Sequence, residues 1–437
     1  MAKKNLATAT AVTTMQQGNS VIIEVGGSIR RITLEKLIDA INVGDAELLH
    51  SVAWGVALKQ NQSSTNWGAL LGNSAMFEEY LSKGGRYLVK NNGQAAKLSP
   101  TNSGIYADGT TLDETKGHVM VIFPDLYYRV VHDSVTGLDY LWMSMIPIGG
   151  KVIKRPCIGA YKGSMSSTAL VSRSGVAPAG NKTISAFWTA AQVNGRNWGL
   201  TNYDHRKFMM MLHLSKTGLD ATANPNVQSQ LGNGVTGSAN GAWDAVSTAM
   251  HTGETKLLGD AYDSTILEWT NAAGNAVEDA SHVSLFGIED PYGWQWEMIQ
   301  GIYCGNSGNA GQTGAEVFIY EGNRMPTAAE LSSHPSGDYR QFNRLTSEGY
   351  VKKEILGDDF DLFPTEVGGG STSYWCDYSY ANATGQLVLW GGVAGGGAYC
   401  GLACVYSNVA FSHSGAGIGA RLAYYGDITI VNGADIA

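Results

Sequence analysis

Gly287 to Ile299 reads GIEDPYGWQWEMI, and the parsing of this run decides which fold the chain can have. Gly293 permits a tight turn. Beyond it Trp294, Trp296 and Met298 alternate with Gln295 and Glu297, the period of two that a half-buried strand imposes. Trp296 is therefore expected in the core. Glu297 reads as a buried hydrogen-bonded strut or as a ligand contact, and because a buried carboxylate has to be paired, the strut is preferred.

Downstream, Trp390 to Tyr425 reads WGGVAGGGAYCGLACVYSNVAFSHSGAGIGARLAYY. From Tyr378 to Ala420 there is no Asp, Glu, Lys or Arg, yet Tyr378, Tyr380, Trp390, Tyr399, Tyr406 and Phe411 recur among glycines and small polar residues. Tyr and Trp offer large, stiff, amphipathic contact area at low entropy cost. The run reads either as a contact surface or as a Gly-rich set of buried turns and strands.

Upstream, Val21–Val25 and Ser28–Ile32 are two short β-prone runs joined by Gly26-Gly27, a hairpin signal. Thr33 is placed to cap a short helix carrying Leu34, Leu37, Ile38 and Ile41 on one face. Residues 1–47 thus form a candidate module too small to bury a core alone, calling for a partner or for copies of itself. An ordinary subdomain packed on the rest is the alternative. From residue 48 to 437 the reading is one long α+β region. Val119–Val131 and Tyr140–Ile146 read as strands, with Pro124 marking an edge or a bulge. Helices are expected over Ser185–Val193 and Tyr203–Ser215, the second ending near Gly218. Thr327 and Glu330 form a capping box after Pro326. Ala221–Gly241 and Gly368–Ser373 read as surface loops.

Composition removes several functional classes. The 437 residues allow two or three domains. Only 15% are charged and the formal charge is −9, so nothing resembles the basic stripe that nucleic acid requires. Fifty-six glycines and twenty-one tyrosines against ten prolines indicate ordered, β-rich, loop-rich structure. Cys157, Cys304, Cys376, Cys400 and Cys404 show no CxxC spacing, so neither a disulfide framework nor a zinc site is expected, a Cys400–Cys404 pair being the remaining possibility. No apolar run matches a secretory signal or a membrane span.

Catalytic signatures are mostly missing: the chain has no GxSxG, HExxH, P-loop or EF-hand pattern. Gly415, Gly417 and Ala420 fit GxGxxG/A, but RLAYYGDITIV follows, a strand pattern where a dinucleotide site needs a helix. His205 and His213 share a helical face without a third ligand. Asp204, Glu289, Asp290 and Glu297 could supply oxygens to Ca²⁺, as loop carboxylates commonly could. No metal, cofactor or catalytic residue is assigned.

The GIEDPYGWQWEMI run resembles the G-[LI]-x-D-x-x-G-N-V-W-E-W turn of C-type-lectin-like folds of the formylglycine-generating-enzyme kind. Gly287, Ile288, Asp290, Gly293, Trp296 and Glu297 match, while Trp294 and Gln295 stand where that family prefers Asn and Val. GIGARLAYY, with Arg421, is similar to that fold's closing G-x-R strand. Gly287, Asp290, Gly293, Trp296, Glu297 and Arg421 are then the fold-defining set. Trp390–Ala420 is similar to the display surface of phage major tropism determinants. IGAYKGSM, SRSGVAPAGNKTISAFWTAAQVNGRNWGLTNYDHRKFMMMLHL and VQSQLGNG resemble phage and prophage fibre proteins of gut bacteria, over about residues 50–437, and the first 45 residues resemble virion-attachment segments.

The resemblance implies a head or tail fibre, of a crAss-like or related phage, assembled in the host cytoplasm into the virion. It would be a homotrimer attached to other virion proteins through residues 1–47, presenting a lectin-like domain with a ligand-facing region at 374–425. The implied contact set is Trp390, Tyr399, Tyr406, Asn408, Phe411 and His413, meeting a host-surface glycan or protein. Ring faces stack on sugars, and Asn or His bonds hydroxyls. The alternatives are a decoration protein with no external ligand and, third, a formylglycine-type oxidase. For that oxidase, Cys400 and Cys404 lack an adjacent base.

Overall fold

A computed structural model describes residues 20–25, 28–33, 46–60, 68–223, 251–270, 276–370, 373, 375, 377–394 and 396–436. Strand outweighs helix, 37% to 19%, which makes the chain β-rich with a few helices and compatible with an α+β class. Three sheets carry the fold. A five-stranded sheet runs Lys151–Ile153, Leu126–Asp133, Leu138–Ser144, Trp54–Leu58, Leu71–Gly72. An eight-stranded sheet is built on His118–Ile122 and Gly85–Val89, and a nine-stranded sheet on Trp296–Cys304, Leu387–Trp390 and Val405–Val409.

Pro124 is neither an edge nor a bulge: it falls between His118–Ile122 in the eight-stranded sheet and Leu126–Asp133 in the five-stranded one. A residue without an N–H suits the point where the chain leaves one ladder for another. The C-terminal strands complete the eight-stranded sheet. Thr429–Ile430 pairs in parallel with Gln94 and Ala95, and Leu422–Tyr424 lies between Trp198–Leu200 and Cys157–Gly159.

The described helices are α1 (Ala46–Val52), α2 (Ser74–Lys83), α3 (Ile184–Gln192), α4 (Tyr203–Ala223), α5 (Ala328–Ser332) and α6 (Gly433–Ile436). At the start of α4, Asn202 Oδ1 accepts from His205 N–H while His205 Nδ1 accepts from Asn202 N–H, a reciprocal cap with histidine in the place of glutamate. The helix runs past Gly218 instead of ending there. A Cβ at Gly218 would sit 3.2 Å from the Leu70 nitrogen, whose N–H bonds Gly218 O at 2.7 Å, so this glycine is a packing contact and not a stop. Phe208, Met209, Met210, Met211, Leu212 and Leu214 are all buried, which makes α4 the central helix of the main core. The capping box of α5 is present, with Thr327 and Glu330 bonding each other's backbone N–H.

Ser20–Val25 and Ser28–Thr33 form the anticipated hairpin as their own two-stranded sheet. The helix anticipated after Thr33 and most of the Ala221–Gly241 loop lie outside the described residues. Among described helices none is long and apolar enough to cross a membrane.

Candidate functional site

The outer face of the nine-stranded sheet collects the aromatics. Parallel pairing sets Tyr380 beside Tyr406, and antiparallel pairing sets Tyr350 beside Tyr378. Residues two apart on a strand share a face. Tyr378 and Tyr380 therefore point outward together while Ser379 and Ala381 are buried, and Tyr406 points outward between buried Val405 and Ser407. Trp296 packs on Tyr406 with ring centroids 5.2 Å apart and meets Tyr380 edge-on at 5.9 Å. Tyr378 touches Tyr380 at 4.5 Å. Tyr399, on the short turn Gly397–Tyr399, stacks on Tyr350 at 5.3 Å and meets Tyr378 edge-on at 5.0 Å. Trp296, Tyr406, Tyr380, Tyr378, Tyr399 and Tyr350 are thus one continuous aromatic face, in which Tyr399 is the most exposed ring, at 43%.

The rings themselves are uncharged, and the exposed carboxylate of Glu348 lies close enough to act on them. Burial, with the negative charge of Glu348, raises the phenols of Tyr378 and Tyr406, and burial raises Tyr380 further. All three keep their protons at physiological pH. The hydroxyls of Tyr378, Tyr380, Tyr399 and Tyr406 have no hydrogen-bond partner among the described residues, so each is available to a ligand. Chemically, this is a set of apolar ring faces fringed by unpaired hydroxyl groups, suited to stacking on a sugar or docking a neutral, partly apolar surface.

Four of the six anticipated contact residues fit this face unequally, and two do not belong to it. Tyr399 and Tyr406 are in it. Asn408 is half-buried two residues beyond Tyr406 on the same strand, and His413 is half-buried in the turn that follows. Trp390 has to be corrected: it is fully buried. Its strand pairs it with Glu297 and Val405, both inward-facing, so it shares their direction and packs on Tyr203 and Phe363. Phe411 is also corrected, since the chain turns back after Val409 and places it in the second core cluster with Ile418 and Ala420. Trp296 errs in the other direction. Expected in the core, it is half-buried in the aromatic face, and Trp294 is the fully buried one. Gln295 and Glu297 are buried too, so this strand is covered on both sides beyond Trp296. Tyr350 was missed; its only sequence signal was an aromatic directly after a glycine at a strand start.

Behind the face lies a buried polar lock. Glu297 Oε2 is 2.9 Å from Lys162 Nζ and 3.2 Å from Arg421 Nε, and its Oε1 accepts from Thr201 Oγ1 at 3.1 Å. Arg421 also donates to the carbonyls of Gly159, Ala160, Glu289 and Asp290. Burial alone would raise Glu297, but Arg421, Lys162 and Arg206 together outweigh it and hold this carboxyl well below the usual range. Gly287 and Gly293 take φ of +87° and +88°, and Asp290 takes +44°, the left-handed region in which glycine is at ease and Asp is tolerated. Asp290 accepts from His282 Nδ1 at 2.5 Å and from Val283 N–H at 3.0 Å. The strut reading of Glu297 thus describes its contacts.

His282, Glu289 and Asp290 bring ligand-type atoms within 4.8 Å of one another. Both Glu289 oxygens are bonded by Gly253 N–H, Thr255 N–H and Thr255 Oγ1, and both Asp290 oxygens are taken as above, so the cluster serves as a turn lock. His205 bonds the Asn202 backbone and His213 bonds Tyr262 Oη at 2.9 Å, each engaged structurally. The four described cysteines, Cys157, Cys304, Cys400 and Cys404, are free and buried. Burial pushes the Cys400 thiol up to about 12 and raises the Cys404 thiol well above its ordinary value.

No protein-family model matches this chain, and no curated protein matches it either.

Proposed function

We propose that this chain is a structural phage virion protein, a fibre or decoration protein anchored through residues 1–47, whose C-type-lectin-like domain adheres by its aromatic face to a host-surface glycan or protein. The observation that carries this reading is the continuous aromatic face of Trp296, Tyr350, Tyr378, Tyr380, Tyr399 and Tyr406, in which the hydroxyls of Tyr378, Tyr380, Tyr399 and Tyr406 have no hydrogen-bond partner among the described residues. The lectin-like assignment draws support from the contact between Glu297 of the Trp-Glu turn and Arg421 of the closing strand, the two segments whose motifs suggested it. A binding protein is preferred to an oxidase because Cys400 and Cys404 are buried and hold their protons. Assembly as a homotrimer would multiply weak sites by avidity.

The test is binding of the purified chain to a panel of intact bacterial cells and to a glycan array, wild type beside the Tyr399→Ala, Tyr406→Ala double variant. Loss of binding with an unchanged circular dichroism spectrum is the expected result, and equal binding by the folded variant refutes the face as the adhesive surface. Five of the six rings are only half-exposed, which favours a second reading, that neighbouring subunits cover this face in a decoration protein without an external ligand. Under that reading the double variant would lose oligomerisation, visible by mass measurement, instead of cell binding.

A further inference from the structure

An exposed carboxylate stands at the aromatic face, and its sign selects among ligands. The antiparallel register that pairs Gly349 with Ser379 and Tyr350 with Tyr378 places Glu348 one step before its strand, toward Tyr380. The Glu348 carboxylate has no hydrogen bond or ion pair among the described residues, and the phenols of both Tyr378 and Tyr406 feel its negative charge. No Lys or Arg offsets it at either phenol. Elsewhere in the chain Arg324 stands over the Tyr320 ring at 3.7 Å and Lys207 over Tyr203 at 5.4 Å. Among the described residues, no Lys or Arg stands over Trp296, Tyr378, Tyr380, Tyr399 or Tyr406.

The rings are set for a cation from outside. Trp296 with Tyr380, Tyr350 with Tyr378, Tyr378 with Tyr399, and Tyr380 with Tyr406 meet near a right angle, at 83°, 79°, 85° and 78°. An edge set against a face leaves the two ring planes as the walls of a corner. The face is the negative side of an aromatic ring, so a cation seated in such a corner is attracted by both walls. All six rings keep exposed surface, and the hydroxyls of Tyr378, Tyr380 and Tyr406 are open to solvent.

Ring faces, hydroxyls and one carboxylate therefore lie side by side. A neutral sugar would use the first two and leave the carboxylate idle, whereas a quaternary ammonium would leave the hydroxyls idle. A sugar with a free amino group uses all three: its C–H face stacks, its hydroxyls bond the phenols, and its ammonium meets the carboxylate.

We propose that the aromatic face recognises glycans whose hexosamine units carry a free amino group, the ammonium held at Glu348 and the sugar ring stacked on the tyrosines. This rests on the adhesive reading of the face and narrows it to one ligand class.

The test is NMR titration of the full chain with the β-1,4-linked trisaccharides of glucosamine, N-acetylglucosamine and glucose, and with tetramethylammonium as a bare cation. The glucosamine trisaccharide should bind about fivefold or more tightly than either neutral one, as an exposed ion pair with a cation–π contact implies. Added salt should shrink that preference. Glu348→Gln, at an exposed side chain, should abolish the preference and leave the neutral trisaccharides unchanged, while Tyr399→Ala with Tyr406→Ala should weaken all three. The proposal is overturned if a neutral trisaccharide or tetramethylammonium binds as tightly as the glucosamine one, if Glu348→Gln keeps the preference, or if no trisaccharide binds. Equal binding of the three sugars, with cell adhesion lost in the tyrosine variant, would leave the adhesive face standing and remove only its choice of an amine.

Discussion

Arg421 and Glu297 meet in the interior, guanidinium Nε 3.2 Å from carboxylate Oε2, both side chains fully buried and 124 residues apart in sequence. The pair joins the Trp-Glu turn to the closing strand. Removing one partner of a buried ion pair strands the other charge, at a cost of about 3–5 kcal/mol. Arg421→Met should therefore lower the unfolding free energy by about that amount, read from chemical denaturation, and Glu297→Gln should do likewise because Lys162 and Arg421 lose their counter-ion. The carboxyl of Glu297 is held below its unfolded value, so its contribution is present above pH ~4.3 and fades as pH falls from there. Wild type should lose more stability on acidification than Glu297→Gln, and parallel acid curves for the two would contradict the pairing.

His282 and Asp290 predict the opposite slope. Burial lowers His282, but Asp290 opposes that strongly, by its charge and its hydrogen bond, and brings the imidazole to about 9. A group raised in the folded state contributes stability below its unfolded value of about 6.5, and that contribution is lost as pH rises through 9. The loss amounts to about 3 kcal/mol for a shift of this size. The unfolding midpoint should fall between pH 6.5 and 9 in wild type and stay flatter in His282→Gln, and an NMR titration of His282 should place its midpoint on the alkaline side of 8.

Cys400 and Cys404 should resist alkylation in the folded chain. Their thiols are buried and raised, so the thiolate that reacts is scarce. Mass spectrometry after iodoacetamide should show both unmodified under native conditions and modified in denaturant. Rapid native labelling of either would revive the oxidase reading.

Much of the fold was legible because local chemistry agreed with the outcome. The pairing of the two N-terminal strands, the Thr327–Glu330 capping box, helix α3 and the turn at Gly293 all follow from short-range rules. The misplacements share one cause. Whether an aromatic points inward depends on which strands flank it, and that is set by pairing partners far away in sequence. Trp390 takes its direction from Glu297 and Val405, and Trp296 takes its place from Tyr406. Gly218 looked like a helix stop because the close approach of Leu70, nearly 150 positions away, is invisible to a local window. His282, the partner of Asp290, carried no spacing that marks a site.

Trp390 and Tyr399 belong to the same uncharged stretch, nine residues apart, and substitution should separate them sharply. Trp390 packs among Tyr203, Phe363 and the Arg206 guanidinium with no exposure, so Trp390→Ala leaves a large cavity and should cost about 3–5 kcal/mol. Tyr399 is 43% exposed and its ring partners, Tyr350 and Tyr378, are themselves on the face, so Tyr399→Ala should cost under ~1 kcal/mol. Thermal unfolding of the two variants beside wild type checks this. Similar losses for both would mean that Tyr399 is packed as tightly as Trp390 and that the aromatic face is interior, which would remove the basis for an adhesive surface.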